Sequence, residues 1–232
     1  MNQADSNNDE AGPPAAGRLL IPVGLKPSQV RASRIDAPVR RLSGATMGTG
    51  WSVAFAAPES VENSAVVAAL EETFDLVIQQ MSQWESGSDL SRFNREPGWH
   101  DLKPDFFHVL ARALEIAELT EGAYNPALAR RLDMLGFGPS LDAPGGPGSW
   151  REVQLDPANR RAFQPGGVAL DLSSIAKGHA VDLCAARLRG LGIPSFLMEI
   201  GGEFVGEGVK PDAQPWWIEL ELSDMVPAAG ES

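Results

Sequence analysis

The first regular pattern of apolar and polar positions lies between residues 51 and 81. Trp51, Val53 and Phe55 alternate with smaller or polar residues, which predicts a half-buried strand. Beyond Ser64 the apolar residues are spaced three or four apart, which predicts a helix with one buried face. The members of this stripe are Val67, Leu70, Phe74, Val77 and Met81.

The same helical spacing occurs twice more. Pro104 and Gly122 mark the ends of one stripe, since proline suits the first turn of a helix and glycine the position after its last turn. This stripe contains Phe107, Leu110, Leu114 and Ala117. The other ends at Gly192 and contains Val181, Cys184, Leu188 and Leu191.

Short apolar runs predict strands at 151–155, 160–163 and 167–171, two strands around a glycine turn in SFLMEIGGEFVGEG (195–208), and a last strand in WWIELEL (216–222). Helices and strands do not alternate regularly, so the predicted class is α+β, with mixed or antiparallel sheets flanked by helices. A strand so near the end of the chain needs a neighbour, which predicts a sheet that is incomplete at the C-terminus.

The ends and loops of the chain are marked by composition. Residues 1–40 are polar, acidic and rich in small residues, which predicts a disordered or loosely docked arm before a domain at 41–232, and 139–149 reads as a loop. The start lacks the basic and apolar regions of a secretory signal, and no apolar run is long enough to cross a membrane. These features predict a cytoplasmic protein, or a periplasmic or membrane-anchored one if the true start differs.

Charge and the rarer residue types exclude some functions. The chain has 31 acidic and 19 basic residues, a net charge of −12, so a nucleic acid is an unsuitable partner. Cys184 is the one cysteine, which excludes an internal disulfide. The three histidines, at 100, 108 and 179, lack the spacing of metal ligands and are interpreted as surface or capping residues.

The segment LDLSSIAKGHAVD (170–182) allows two kinds of chemistry. Ser174 and Lys177 form an S-x-x-K motif, but a penicillin-recognising enzyme would also need a K-T-G strand, and the chain has none. Alternatively, a strand ends at Asp171 and a helix begins at Ser173 or Ser174. Free N–H groups and Lys177 would then hold a phosphate or diphosphate. An ordinary capped helix with a solvated lysine remains the third possibility.

Two glycine-rich stretches are open to both structural and functional interpretations. GATMGTGWSV (44–53) is either a turn before a strand or a place where the main chain approaches a ligand. Ile200-Gly201-Gly202-Glu203 is either a hairpin turn or a flat surface beneath a ligand.

Taken in order, five stretches resemble the ApbE family, the FAD:protein FMN transferases. They are GATMGTGWSV, MSQWESGSDLSRFN (81–94), GAYNPALARRLDMLGFGP (122–139), LDLSSIAKGHAVD and MEIGGEF (198–204). The resemblance implies a T-fold-like architecture and an enzyme that cleaves FAD, attaches FMN to a threonine of an acceptor flavoprotein and releases AMP. It also implies dependence on Mg²⁺, with FAD as the substrate.

The resemblance assigns roles to eleven residues and no catalytic side chain. Met47 would pack on the flavin nucleotide, Trp84 would stack on it in place of the family's usual tyrosine, and Ser174 would bind Mg²⁺ through its carbonyl oxygen. Asn125 stands where the family usually has an aspartate, so a neutral amide replaces a negative acceptor. The other residues implied to contact FAD are Ala123, Tyr124, Asp171, Lys177, Glu199, Gly201 and Gly202.

The departure from the family lies at the end of the chain. The family's C-terminal segment, which carries its main Mg²⁺ ligands, has no counterpart after WWIELEL. Two interpretations therefore compete: an FMN transferase, and a short, catalytically weak FAD-binding or partner protein. A third is an acidic interaction domain that uses only the fold.

Overall fold

The structure is a computed structural model and describes residues 37–139 and 148–218. In these ranges the strands are β1 (Val39–Thr46), β2 (Thr49–Ala56), β3 (Gly98–Asp101), β4 (Gln154–Asp156), β5 (Arg161–Gln164), β6 (Ser195–Ile200) and β7 (Glu203–Glu207). The helices are α1 (Asn63–Met81), α2 (Asp89–Arg95), α3 (Pro104–Leu119), α4 (Ala129–Met134) and α5 (Ser173–Gly190), with a 3₁₀ turn at Trp150–Glu152.

The strands form two antiparallel sheets. The larger has the order β1-β2-β6-β7, and the smaller has the order β3-β5-β4. Alternate residues of β2 are buried, as its pattern predicts, and β6 and β7 are joined by the predicted glycine turn. The predicted α+β class with antiparallel sheets flanked by helices is confirmed.

The helices cover the larger sheet and supply most of the core. α5 packs on β6 and β7, α1 packs on α5, and α3 packs on both helices. The ring of Trp51 from β2 contacts that of Phe74 from α1, with centroids 5.5 Å apart. Burial of these apolar faces is the main stabilising contribution in this part of the chain.

The three predicted helices are present, and most members of their stripes are buried, but the first member of two stripes is wrong by one residue. In α1, Val66 is fully buried and Val67 only partly so. In α3 the buried face contains Phe106, whereas Phe107 is partly exposed. Adjacent apolar residues fit the same spacing equally well, so the sequence does not choose between them.

The predicted strand at 167–171 is wrong. Residues 168–170 are buried but belong to no strand, because side chains and single main-chain groups from elsewhere pair with the segment instead. Asn94 donates to the carbonyl of Leu170 (2.9 Å) and accepts its N–H (2.8 Å), and Gln164 donates to the carbonyl of Val168 (2.7 Å). The predicted strand at 151–155 is only partly confirmed. Its first two residues belong to the 3₁₀ turn, and the strand β4 begins at Gln154.

Several predictions fall on residues outside the described ranges. The arm at 1–40 and the loop at 139–149 lie largely outside them, although β1 begins at Val39, within the predicted arm. Residues 216–218 of WWIELEL are not in a strand, and 219–222 are not described. The boundaries of one domain at 41–232 therefore stay a prediction. No helix of the described residues is both long and apolar enough to span a membrane.

Candidate functional site

A cleft of about 580 Å³ lies where three parts of the chain meet. They are the β1–β2 turn, the end of α1 with the loop that follows it, and the first turns of α5. Its volume is within the range of roughly 300–1,000 Å³ that small-molecule sites occupy. The lining residues are Met47, Gly48, Thr49, Val77, Ile78, Met81, Ser82, Gln83, Trp84, Glu85, Ser173, Ala176 and Lys177.

The β1–β2 turn places Met47 at the cleft. Thr46 pairs with Thr49, so the loop contains only Met47 and Gly48, and both have positive φ (49° and 73°). A two-residue hairpin of this kind matches the right-handed twist of the strands but requires positive φ at both positions. Glycine accepts that conformation readily, whereas methionine is strained in it. Met47 thus occupies a strained position on the wall of the cleft.

The loop after α1 presents Trp84 to solvent. The hydroxyl of Ser82 accepts the N–H groups of Trp84 (3.1 Å) and Glu85 (3.2 Å), which fixes a tight turn directly after the helix. The Trp84 side chain is 62% exposed at the cleft, an unusual position for a residue that normally buries most of its surface. A large aromatic face is therefore available to a flat ligand.

The helix α5 begins at Ser173, as predicted, but several of its first N–H groups are not free. The N-cap is Leu172, and the carboxylate of Asp171 accepts the N–H of Ser173 (2.8 Å). The N–H groups of Ile175 and Ala176 both donate to the carbonyl of Leu172 (3.0 and 2.8 Å). Three of the first N–H groups are thus occupied, and a carboxylate already sits at the positive end of the helix dipole.

Lys177 carries its positive charge into the cleft. Its Nζ donates to the carbonyl of Gly201 at 3.4 Å, and it forms no ion pair within residues 37–139 and 148–218. The N–H of Gly201 in turn donates to the carbonyl of Gly50 (3.1 Å), so the β6–β7 turn is fastened to β2. Among the described residues no hydrogen bond joins the Lys177 ammonium to the Ser174 side chain, so the acyl-enzyme interpretation gains no support.

A second group of predicted residues surrounds Asp171. Burial raises the pKa of Tyr124, the side chain of Ser174 offsets part of that rise, and the negative charge of Asp171 adds to it. The Tyr124 hydroxyl is buried and has no hydrogen bond of normal geometry among the described residues. Tyr124 is therefore protonated at neutral pH and can donate.

The remaining predicted residues lie in turns. The Asn125 side chain accepts the N–H of Ala127 (2.8 Å), a turn that aspartate would form equally well. Glu199 accepts the N–H of Gly202 (2.8 Å) and so closes the β6–β7 turn. Ala123 is exposed after α3. Of the eleven predicted residues, the structure brings Met47, Trp84 and Lys177 to the cleft and Tyr124, Asp171 and Ser174 together; their roles stay predictions.

The sequence assigned no site role to seven residues of the cleft wall: Val77, Ile78, Met81, Ser82, Gln83, Glu85 and Ala176. Three of them lie within two residues of Trp84 in the chain, and this proximity was the available signal. Gln83 is the most unusual, because its side chain is polar and only 7% of the residue is exposed.

The described residues do not fit the predicted magnesium site. Mg²⁺ needs oxygen ligands in an octahedron and usually one or two carboxylates. Residues 37–139 and 148–218 contain no group of three or more His, Cys, Asp or Glu side chains placed to hold a metal. Ser174 is the second residue of α5, where a main-chain carbonyl accepts the N–H four residues further on.

Two of the histidines meet in the fold, which their distance in the sequence did not indicate. The rings of His108 and His179 have centroids 5.6 Å apart, and His179 lies 3.2 Å from a carboxylate oxygen of Asp105. The group joins α3 to α5, and none of its members lines the cleft.

Comparison with known proteins identifies the family. The model of the ApbE family matches residues 47–230, which is most of the chain. The chain belongs to the ApbE family. The family assignment made from the five motifs is thereby confirmed, and so is the ApbE-like architecture.

Individual ApbE proteins resemble this chain in sequence and in fold. A FAD:protein FMN transferase from Haemophilus influenzae is 30% identical over 230 residues, covering 89% of this chain and 64% of that protein. The flavin transferase ApbE from Vibrio cholerae is 28% identical with a TM-score of 0.72, covering 79% of this chain and 64% of that one. The apo flavinyl transferase ApbE from Pseudomonas stutzeri gives the same identity and TM-score, with 80% and 66% covered. This chain thus spans about two thirds of the length of these ApbE proteins.

Proposed function

We propose that the cleft binds FAD and that the protein acts as a FAD:protein FMN transferase. In this reaction FAD is cleaved, FMN is attached through a phosphoester to a threonine of an acceptor flavoprotein, and AMP is released. The observation that carries the proposal is the meeting of Met47, Trp84 and Lys177 at one cleft, although they come from three separate motifs. The names of the similar proteins support the same activity.

The chemistry of the cleft suits a flavin nucleotide. The exposed indole of Trp84 offers a face for stacking on the flat isoalloxazine ring, and the thioethers of Met47 and Met81 offer polarisable apolar contacts. Lys177 supplies a positive charge for the diphosphate, with no ion-pair partner among the described residues to compete for it. The cleft thus offers apolar surface for the ring and a positive charge for the phosphates.

The proposed reaction is a displacement at phosphorus. The hydroxyl oxygen of the acceptor threonine forms a bond to the phosphorus of the FMN half, the bond from that phosphorus to the bridging oxygen breaks, and AMP leaves with that oxygen. The hydroxyl proton is released, and nothing is oxidised or reduced. Lys177 would stabilise charge on the phosphoryl oxygens. Mg²⁺ dependence enters the proposal through the family alone, as no described ligand set holds the ion.

The test combines the protein with FAD, Mg²⁺ and an acceptor that carries the threonine motif. We expect the acceptor to gain the mass of one FMN while AMP appears in equal amount. An acceptor whose threonine is replaced by valine and a reaction containing EDTA serve as controls. FAD binding without any transfer would refute the transferase, and absence of FAD binding would also refute the function of the cleft.

A second candidate function is favoured by the chemistry of the described residues, which supply no magnesium site. A FAD-binding or partner protein with weak catalysis would fit this observation. It predicts FAD binding that persists in EDTA, with at most slow transfer of FMN. The cytoplasmic location also stays a proposal, which cell fractionation would test.

A further inference from the structure

Gln83 is a buried polar residue on the wall of the cleft. Its Nε2 donates to Oδ2 of Asp171 at 3.3 Å. A carboxylate can only accept hydrogen bonds, so this contact fixes the amide with its nitrogen toward Asp171 and its carbonyl oxygen away from it. The orientation of the Gln83 amide is thus determined by a residue at the start of α5.

The contact completes a set of bonds that hold Asp171. Oδ1 of Asp171 accepts the N–H of Ser173 (2.8 Å), and its own N–H donates to the carbonyl of Pro126 (2.8 Å). These two bonds fix the main chain and one carboxylate oxygen. Gln83 fixes the other oxygen, and both Gln83 and Ser173 line the cleft.

The carbonyl oxygen of Gln83 has no partner among the described residues, although it is buried. The other buried glutamines are different. Oε1 of Gln80 accepts the N–H of Phe106 (3.1 Å), and Gln164 bonds main-chain groups through both its nitrogen and its oxygen. An unpaired buried acceptor destabilises a protein, whereas a donor on a bound ligand would satisfy it.

The Gln83 oxygen differs from the other buried polar atoms that make no regular hydrogen bond among the described residues. Oδ2 of Asp89 lies 3.2 Å from the ammonium of Lys103, and the Tyr124 hydroxyl interacts with the side chain of Ser174. The Gln83 carbonyl oxygen has no such neighbour in the described part of the chain.

We infer that Gln83 is a positioning residue for ligand binding: it orients the carboxylate of Asp171 beside the cleft and keeps its own carbonyl oxygen for a donor of the ligand. The inference rests on the proposed function, because the ligand it serves is FAD, whose hydroxyl and N–H groups are donors. Neither the motifs nor the comparisons assign this role to Gln83.

The test exchanges donor and acceptor between the two residues. Gln83→Glu has the same shape but places two acceptors face to face, and we expect it to weaken FAD binding at least about tenfold in the wild-type background. In the Asp171→Asn background the new amide can donate to the carboxylate introduced by Gln83→Glu. There the same substitution should weaken FAD binding no more than about threefold. Isothermal titration gives the FAD affinity of wild type, the two single variants and the double variant. The difference between the effects of Gln83→Glu in the two backgrounds is the coupling between residues 83 and 171.

Gln80→Glu is the matched control, since Gln80, near the end of α1, is buried like Gln83 but its partner is the main chain of α3. We expect a lower melting temperature for this variant but an FAD affinity within about threefold of wild type. If Gln83→Glu fails to fold, Gln83→Met removes the donor without adding charge and should also weaken FAD binding.

Two outcomes would overturn the inference. One is an equal cost of Gln83→Glu in the wild-type and Asp171→Asn backgrounds, and the other is an unchanged FAD affinity in Gln83→Met. A wild-type protein that does not bind FAD would instead refute the proposed function, so the two failures are distinguishable.

Discussion

Met47 allows a test of both the turn and the cleft, because its backbone is strained and its side chain faces the cleft. A positive φ costs a non-glycine residue roughly 1–2 kcal/mol, and glycine escapes that cost. Met47→Ala and Met47→Gly both remove the thioether, but only glycine relieves the strain. We therefore expect Met47→Gly to be more stable than Met47→Ala by about 1 kcal/mol. This reverses the order usual in regular structure.

The assay is thermal unfolding without FAD, followed by titration with FAD. A difference of about 1 kcal/mol corresponds to a difference in Tm of roughly 2–4 °C for a chain of this size. Both variants should bind FAD about tenfold more weakly than wild type, since either loses apolar contact worth on the order of 1.5 kcal/mol. Stability and affinity thus respond to different parts of the same residue.

Arg160 provides the control, because it also has a positive φ (51°) but lies in the exposed turn before β5. Arg160→Gly should be more stable than Arg160→Ala by a similar amount, with FAD affinity unchanged in both. If Met47→Ala proves at least as stable as Met47→Gly, the left-handed turn is refuted. If both Met47 variants bind FAD like wild type, Met47 does not contact the ligand.

Three further predictions concern single residues. Lys177→Ala should weaken FAD binding at least about tenfold, as measured by titration, because a charge-assisted hydrogen bond is worth roughly 1.5–3 kcal/mol; an unchanged affinity would count against the diphosphate site. Gly201→Ala should lower the free energy of unfolding in urea by about 1–3 kcal/mol, because its φ is +54° and the added Cβ would lie 2.7 Å from Cγ2 of Thr49; a wild-type value would contradict the close packing. Burial raises the pKa of the Cys184 thiol to about 12, above its value in the unfolded chain. Between these two values the unfolded chain loses the thiol proton and the folded protein keeps it, so the contribution of the thiol to stability is present at pH 8 and is lost as the pH rises toward 12. The stability advantage of wild type over Cys184→Ala should accordingly shrink by about 1.4 kcal/mol between pH 8 and 10, and a constant difference in urea denaturation would refute this.

The fold was predictable where local spacing alone determines burial. The alternation of Trp51, Val53 and Phe55 and the stripe of α1 each identify one element, because the buried face repeats with the period of the strand or helix. The segment 167–171 was wrongly predicted as a strand because the prediction rested on burial alone. Its buried apolar residues resemble a strand, but its main chain bonds to the side chains of Asn94 and Gln164 and to the main chain near Pro126, which no local pattern links to it.

Only those residues of the site that belong to the family motifs were predictable from the sequence. Met47, Trp84 and Lys177 were found through the family resemblance, and the fold brings them to one cleft. Gln83 was missed because its importance depends on Asp171, 88 residues further along the chain. A polar residue next to an aromatic one has no distinctive pattern until the fold supplies its partner.

The charge at the start of α5 changes the explanation of how a diphosphate would bind. The sequence suggested that free N–H groups and the helix dipole do the work, with Lys177 in support. In the structure Asp171 occupies the first N–H group and opposes a second anion at the same end of the helix. The attraction must then come mainly from Lys177, which one hydrogen bond to the carbonyl of Gly201 holds in the cleft. The helix thus serves to position a carboxylate, and a side chain one turn further along supplies the charge.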